Sequence, residues 1–402
     1  MKKTLAAVAV LGAFAGSALA ADVTLYGRVD AGLNFTSTSY DNVIEDGEEV
    51  KDNDSFSLKS GQYTGSRWGI KGAEQISENL TVGFQLENGF TVDDGKIAQN
   101  GGIFGREARL YAKTQFGEFG FGRMGGLDSG SGSYDLVGGY SAWSTGWGGY
   151  TGNMGQFFLG KSDRYDNMIT YKSPEFAGLT VLAQVSLKEN SSDAGEESKH
   201  LTNRYYAIGA RANYGAFQGA LVYSMQDYAN VDEKLWVKDG EAVNYNDDDG
   251  HTVTAWGSYD FGVAKVSLAG QYFDNVAQVR SRTVSDDWVN GEWTKDVVDY
   301  DVDYGMTGYG ILLAAEAPLG GGNLYGHVGY ADAEQSVAFG DDKEDTYEAW
   351  GVSIGYDYAL SKRTKLYAAA SYTQFTDNDE EVGSKDEETK VTEVMVGMAH
   401  YF

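Results

Sequence analysis

Short runs in which apolar and polar residues alternate recur along this chain and constrain it more than any other feature. Leu25, Gly27, Val29, Ala31, Leu33 and Phe35 share one parity, and Tyr26, Arg28, Asp30, Gly32 and Asn34 share the other. The same period runs through Leu179–Leu187, Phe217–Met225, Ala264–Tyr272 and Val394–Phe402. A period of two places successive side chains on opposite faces of a β-strand. Two kinds of connection join these runs in alternation. Seven are tight, at Gln75–Asn79, Phe116–Glu118, Pro174–Gly178, Tyr214–Ala216, Asp260–Gly262, Pro318–Gly322 and Ala359–Lys362. The other eight are long, often acidic, and rich in Gly, Ser and Asn. Fifteen connections predict about 16 strands, and short turns at one end with long loops at the other suit an antiparallel transmembrane barrel.

A soluble sandwich also alternates, but a two-layer core for so long a chain exceeds the usual size. A membrane barrel needs no large protein core, because lipid covers its apolar face and water fills its lumen. It does need complete closure, since an unpaired strand edge has no partner in lipid. Met1–Ala20 fits export: Lys2 and Lys3 precede an apolar stretch, and Ala18-Leu19-Ala20 forms a small-residue cleavage site. The expected organisation is a signal peptide over 1–20 and one barrel domain over 21–402.

Composition removes other classes. A net charge of −28 makes nucleic acid an improbable partner. With no Cys and four scattered His, there is no thiol nucleophile and no obvious metal cluster. Asp299, Asp301 and Asp303 resemble the start of a calcium loop, but Gly310 stands where its closing Glu belongs. Asp247-Asp248-Asp249-Gly250 reads most simply as an acidic turn. No nucleophile elbow is present, so neither catalysis nor a cofactor or metal is expected.

Several stretches in order resemble the Gram-negative general porins. They are Asp22–Arg28, Ser66–Gly72, Phe116–Arg123, Arg164–Asn167, Thr170–Phe176 and the terminal Phe402. His400 departs from the usual aromatic or aliphatic residue of the terminal assembly signal. The resemblance implies an all-β outer-membrane barrel forming a homotrimer, with membrane lipid and lipopolysaccharide around it. Its implied function is passive diffusion of small hydrophilic solutes and ions. A substrate-selective channel of the same fold and a surface adhesin are the alternatives.

The resemblance also implies a constriction loop folded into the lumen, here residues 124–162. Tyr134, Tyr140, Trp143, Trp147, Tyr150, Phe157 and Phe158 would pack it against the wall. Basic residues would face it: Arg28, Arg67, Arg164 and either Arg106 or Arg109, with Lys71 on the parity of Arg67. Alternation supports this independently for Arg28, Arg67 and Arg164, with Arg164, Asp166 and Thr170 on one parity and Tyr165, Ile169 and Tyr171 on the other. It favours Arg109 in the lumen and Arg106 outward at the strand's end. On the loop, Asp128 and Asp135 are the candidate acids, with Asp135 preferred and a plain turn residue the other reading. Small outward residues, Gly27, Ala31, Ala108 and Ala112, are candidates for a subunit interface. Segments 41–54, 227–249, 286–303 and 377–390 hold 29 of the 59 acids. If these crowd the mouth, a weak cation preference is expected.

Overall fold

A computed structural model describes residues 23–45, 48–187, 204–228, 237–238, 241–242, 249–276, 279–289, 292–303, 305–335, 346–378 and 386–402. The expected signal peptide lies outside these residues. The strands that form the wall are β1 (Thr24–Asp41), β2 (Asn53–Ser60 continued by Arg67–Ser77), β3 (Leu80–Gly89), β4 (Glu107–Thr114), β5 (Gly117–Gly125) and β6 (Arg164–Lys172). They continue through β7 (Leu179–Ser186), β8 (Arg204–Tyr214), β9 (Phe217–Asp227), β10 (Gly250–Asp260) and β11 (Lys265–Val276). The last five are β12 (Met306–Leu319), β13 (Gly322–Gln335), β14 (Thr346–Ser361), β15 (Thr364–Asn378) and β16 (Glu387–Tyr401). Every neighbouring pair is antiparallel, and β1 pairs with β16 along Arg28–Asp41 to close the ring. The sheet holds 17 ribbons, but both halves of β2 pair with β1, so there are 16 staves.

Side chains on the outer face include Leu110, Leu221, Leu268, Ile354 and Val396, each more than half exposed. Their inward neighbours are mostly buried or polar. This is the alternation expected where lipid solvates one face and the lumen the other. At the closing seam the Phe402 N–H donates to the Gly27 carbonyl and the Gly27 N–H to the Phe402 carbonyl, both at 3.0 Å. The Phe402 ring lies over Gly27, where any Cβ would strike that ring and stand 2.7 Å from the Arg67 carbonyl. Gly27 is therefore covered within the subunit and is not free for an interface. Deleting Phe402 removes two closing hydrogen bonds and this cover. Assembly is expected to slow severalfold, followed as the delayed appearance of the compact, unheated form on gels; unchanged assembly would contradict it.

Two irregularities set the lumen. Ala31 faces Ser60 and Arg28 faces Arg67, so residues 61–66 have no room in the ladder and bend away as an elbow. Gly61 begins it with φ +72°, a left-handed conformation that glycine adopts readily. The buried Asp30 carboxylate holds it, accepting from Tyr63 N–H (2.8 Å) and Thr64 N–H (2.7 Å). The second irregularity is a bulge in β6 beside Gly122–Met124. Its extra residue reverses the expected parity. Tyr165 turns inward to stack on buried Tyr205 at 4.5 Å, and Asp166 turns outward to pair with Arg123 at 2.7 Å.

The segment between β5 and β6 fills one side of the barrel. Leu127, Tyr134, Tyr140, Trp143, Trp147, Met154, Phe157 and Phe158 are each at most 2% exposed. Inward glycines make space: a Cβ on Gly329 would stand 2.5 Å from Phe157, and one on Gly355 2.7 Å from Trp143. The aromatic residues thus act as the core that the hollow barrel otherwise lacks.

Candidate functional site

The inserted loop is fixed at three places around the wall. On β16, the fully buried Glu393 carboxylate accepts from the N–H groups of Gly149 (3.0 Å), Tyr150 (3.0 Å) and Thr151 (3.1 Å). It also accepts from the Thr151 hydroxyl (3.0 Å) and the Asn34 amide (2.9 Å). Successive N–H groups wrapped around a carboxylate satisfy an anion without a cation. Across the barrel, Asp128 accepts from the Tyr205 hydroxyl of β8 (2.7 Å), the Ser224 hydroxyl of β9 (2.5 Å) and the Ser162 hydroxyl. Between them, Trp256 Nε1 donates to the Leu136 carbonyl (2.7 Å). The elbow of β2 also reaches the loop: Gly148 N–H donates to the Gln62 carbonyl (2.7 Å), and the Tyr63 ring lies 4.6 Å from that of Trp147.

Between elbow and loop remains a polar lumenal cavity of about 700 Å³. Arg28, Arg67, Arg106 and Arg164 line one side of it and Lys161 reaches it from the loop. Arg28 Nη1 donates to the Thr64 hydroxyl (2.8 Å), and Arg67 Nε to the Gly65 carbonyl (2.9 Å). Arg106 Nε sits 2.8 Å from Glu87, with Arg67 3.6 Å from the same carboxylate. Arg164 Nε donates to the Arg106 carbonyl (3.0 Å) and its Nη1 lies 3.4 Å from Asp163. Buried Glu87, exposed Asp163 and backbone carbonyls hold the guanidinium groups together despite their like charge.

The fourth arginine differs from the reading by alternation. Arg106 lies on the cavity, its side chain 11% exposed, rather than outward. It precedes the first β4 residue, Glu107, so strand parity does not govern it. Arg109 does point into the barrel but away from this cavity. Its guanidinium contacts Glu107 (3.1 Å), Glu118 (3.2 Å) and the loop hydroxyl of Tyr134 (2.9 Å). Lys71 lies farther along the same wall, its Nζ 5.2 Å from the Tyr26 ring.

The two loop acids are engaged elsewhere. Asp128 is 1% exposed and serves the anchor described above. Asp135 reaches the cavity lining, yet its carboxylate accepts the N–H groups of Gly130 (2.9 Å), Val137 (3.1 Å) and Gly138 (2.8 Å) within its own turn. Burial pushes its carboxyl up to about 6. What the loop offers instead is Lys161, whose Nζ donates to the carbonyls of Ser129 (3.2 Å) and Ser162 (3.4 Å). Sequence reasoning missed Lys161, the elbow and Glu393. Only Glu393 had a readable signal, a charge on the inward parity of a strand whose outward residues are Val394, Val396 and Met398.

A closed antiparallel barrel, apolar outside, with an ionised lumen narrowed by an inserted loop, defines a transmembrane diffusion channel. The chain belongs to the Gram-negative porin family, whose profile matches residues 6–378. It is 31% identical to an outer membrane porin protein of Bordetella pertussis, over 100% of both chains. It is 29% identical to the major outer membrane protein P.IB of Neisseria gonorrhoeae, over 93% of this chain and 94% of that one. The anion-selective porin from Comamonas acidovorans shares the fold, with a TM-score of 0.62 at 23% identity, covering 95% of this chain and 100% of that one. The protein is an outer-membrane porin, a water-filled channel for passive diffusion of small hydrophilic solutes.

Proposed function

We propose that the cavity between elbow and loop is the selective section of the channel, and that it favours anions. The observation that carries this reading is the charge of its lining: five cations, Arg28, Arg67, Arg106, Arg164 and Lys161, against Asp135 and the exposed Asp163. An ion crossing it exchanges water for a cationic wall at close range, where bulk salt screens poorly. The acid-rich loops supported the opposite expectation of a weak cation preference. Where described, two of their acids are already paired at the rim, Asp41 and Glu388 lying 2.5 and 2.6 Å from Lys390. Replacing chloride by a bulky organic anion should therefore lower single-channel conductance severalfold. Replacing potassium by an equally bulky cation should lower it far less. Equal losses would sink the reading.

We infer in addition that the channel is a homotrimer in outer-membrane lipid, its outer rim set against lipopolysaccharide. Ala31 on β1 and Ala108 and Ala112 on β4 share the parity of exposed Leu33 and Leu110. Small residues let two walls approach closely in lipid, where dispersion rather than hydrophobicity drives association. Ala31→Trp is expected to shift most of the cross-linked product from trimer to monomer while the barrel keeps its resistance to detergent. A trimer yield equal to that of the unmutated protein would remove Ala31 from the interface. The reading assigns the chain no catalytic role.

A further inference from the structure

A second cavity, of about 330 Å³, adjoins the extracellular ends of β6 and β8–β11, on the far side of the loop's returning leg. Tyr165, Tyr205 and Tyr228 line it together with Gln226 and Thr252, and Lys161 and Asp163 belong to both cavities. The walls are built rather than incidental. Tyr165 donates its hydroxyl to Gln226 Oε1 (3.0 Å), and Gln226 Nε2 donates to the Arg204 carbonyl (3.1 Å). Thr252 Oγ1 donates to the Gly160 carbonyl (3.2 Å), and Gln271 Oε1 accepts from the Gly160 N–H (2.9 Å). Gly160 itself is pressed against β10 and β11: a Cβ there would meet Thr252 Oγ1 and stand 2.8 Å from Phe273 Cβ.

We propose that this pocket is a binding subsite for a neutral, polyhydroxylated ring of monosaccharide size, occupied before the solute enters the cationic cavity. The inference rests on the porin reading and adds a solute class to it. The volume lies at the lower end of the range for small-ligand pockets. The part-buried Tyr165, with buried Tyr205 stacked behind it, offers apolar ring area beside a polar tip, which suits the C–H face of a sugar ring. Beyond the bonds that fix the wall, the Gln226 amide has a second N–H to donate, and Gln226 Oε1 and Thr252 Oγ1 have further lone pairs to accept. This matches the donors and acceptors of sugar hydroxyl groups. At the mouth Lys161 and Asp163 oppose each other in sign, so the pocket favours neither ion, whereas the neighbouring five-cation cavity draws anions away. Because Lys161 and Asp163 line both spaces, a single leg of the loop separates the pocket from the narrow section.

The test is ion current through the reconstituted channel while D-glucose is titrated on the extracellular side, with glycerol at equal viscosity as comparator. Glucose is expected to reduce the current saturably, with half-effect in roughly the millimolar range of a small neutral ligand. Glycerol should act only in proportion to viscosity. Tyr165→Ala should raise the half-effect concentration at least about tenfold, a loss of ~1.4 kcal/mol. Gln226→Leu, which keeps the volume and removes the hydrogen bonds, should raise it too in a channel of ordinary conductance. A glucose effect in the unmutated protein that is linear and matches glycerol would overturn the subsite while leaving the porin reading intact. Absence of any conductance would instead overturn both.

Discussion

Glu393→Ala is expected to loosen the loop inside the barrel and to destabilise the folded channel more than any other single substitution considered. The change strips an acceptor from three consecutive N–H groups, those of Gly149, Tyr150 and Thr151, at a place where Glu393 is fully buried. Each buried donor left without a partner costs about 1–3 kcal/mol, less where lumenal water reaches it. The Thr151 hydroxyl and the Asn34 amide keep other partners, Ser371 and Gln62, so the loss is confined to the loop backbone. The temperature at which the compact form converts to the slow-migrating form should fall clearly, and open-channel current should become noisier as the tip moves. Glu393→Gln keeps one acceptor oxygen and should fall between. If Glu393→Ala melted at the unmutated temperature with an equally quiet current, the carboxylate would not be the latch.

The second large effect is electrostatic. Arg28, Arg164 and Lys161 line the cavity without touching Glu87, the buried acid that Arg67 and Arg106 neutralise. Replacing them by Gln removes charge without unmasking that acid. A unit charge about 7 Å from a passing ion contributes ~0.6 kcal/mol even at the dielectric constant of water. Each replacement should then change the chloride-to-potassium permeability ratio by a factor of about two or more. The triple variant should bring the ratio close to one. With Asp135 lifted to about 6, acidification from neutral pH to 5 discharges the loop's own acid at the cavity, so anion preference in the unmutated channel should rise as pH falls. Permeability ratios in the three single variants and the triple variant check the charge statements, and the ratio in the unmutated channel at pH 7 and pH 5 checks the Asp135 one; ratios equal to the unmutated value in all four variants would remove these side chains from the permeation path.

The barrel was largely legible in the sequence because strand periodicity is a local property enforced twice over. An outward polar residue loses lipid contact, and an unpaired strand edge loses its hydrogen bonds. Hence the parity of Arg28, Arg67 and Leu33, the seven tight turns and the count of about 16 strands could be read directly. The lumenal details could not, because they depend on breaks in that periodicity. Arg106 escapes parity by standing one residue before β4, and the β6 bulge turns Tyr165 in and Asp166 out. The elbow at 61–66 shows in the chain only as a polar stretch with two glycines, and its direction is fixed by Asp30 across the ladder. Inside the loop there is no period at all. Whether Asp128, Asp135 or Lys161 reaches open lumen is decided by hydrogen bonds to residues up to 96 positions away in sequence.

The most direct test of a cationic selective section is the zero-current potential of the unmutated channel in a tenfold KCl gradient, measured at high and then at low total salt. Excess chloride permeability should set its sign, and the magnitude should persist or grow at low salt as screening weakens. A potential of the opposite sign that grows at low salt would contradict the account. It would show that acidic loops at the mouth govern permeation rather than the arginines and Lys161 beside the loop.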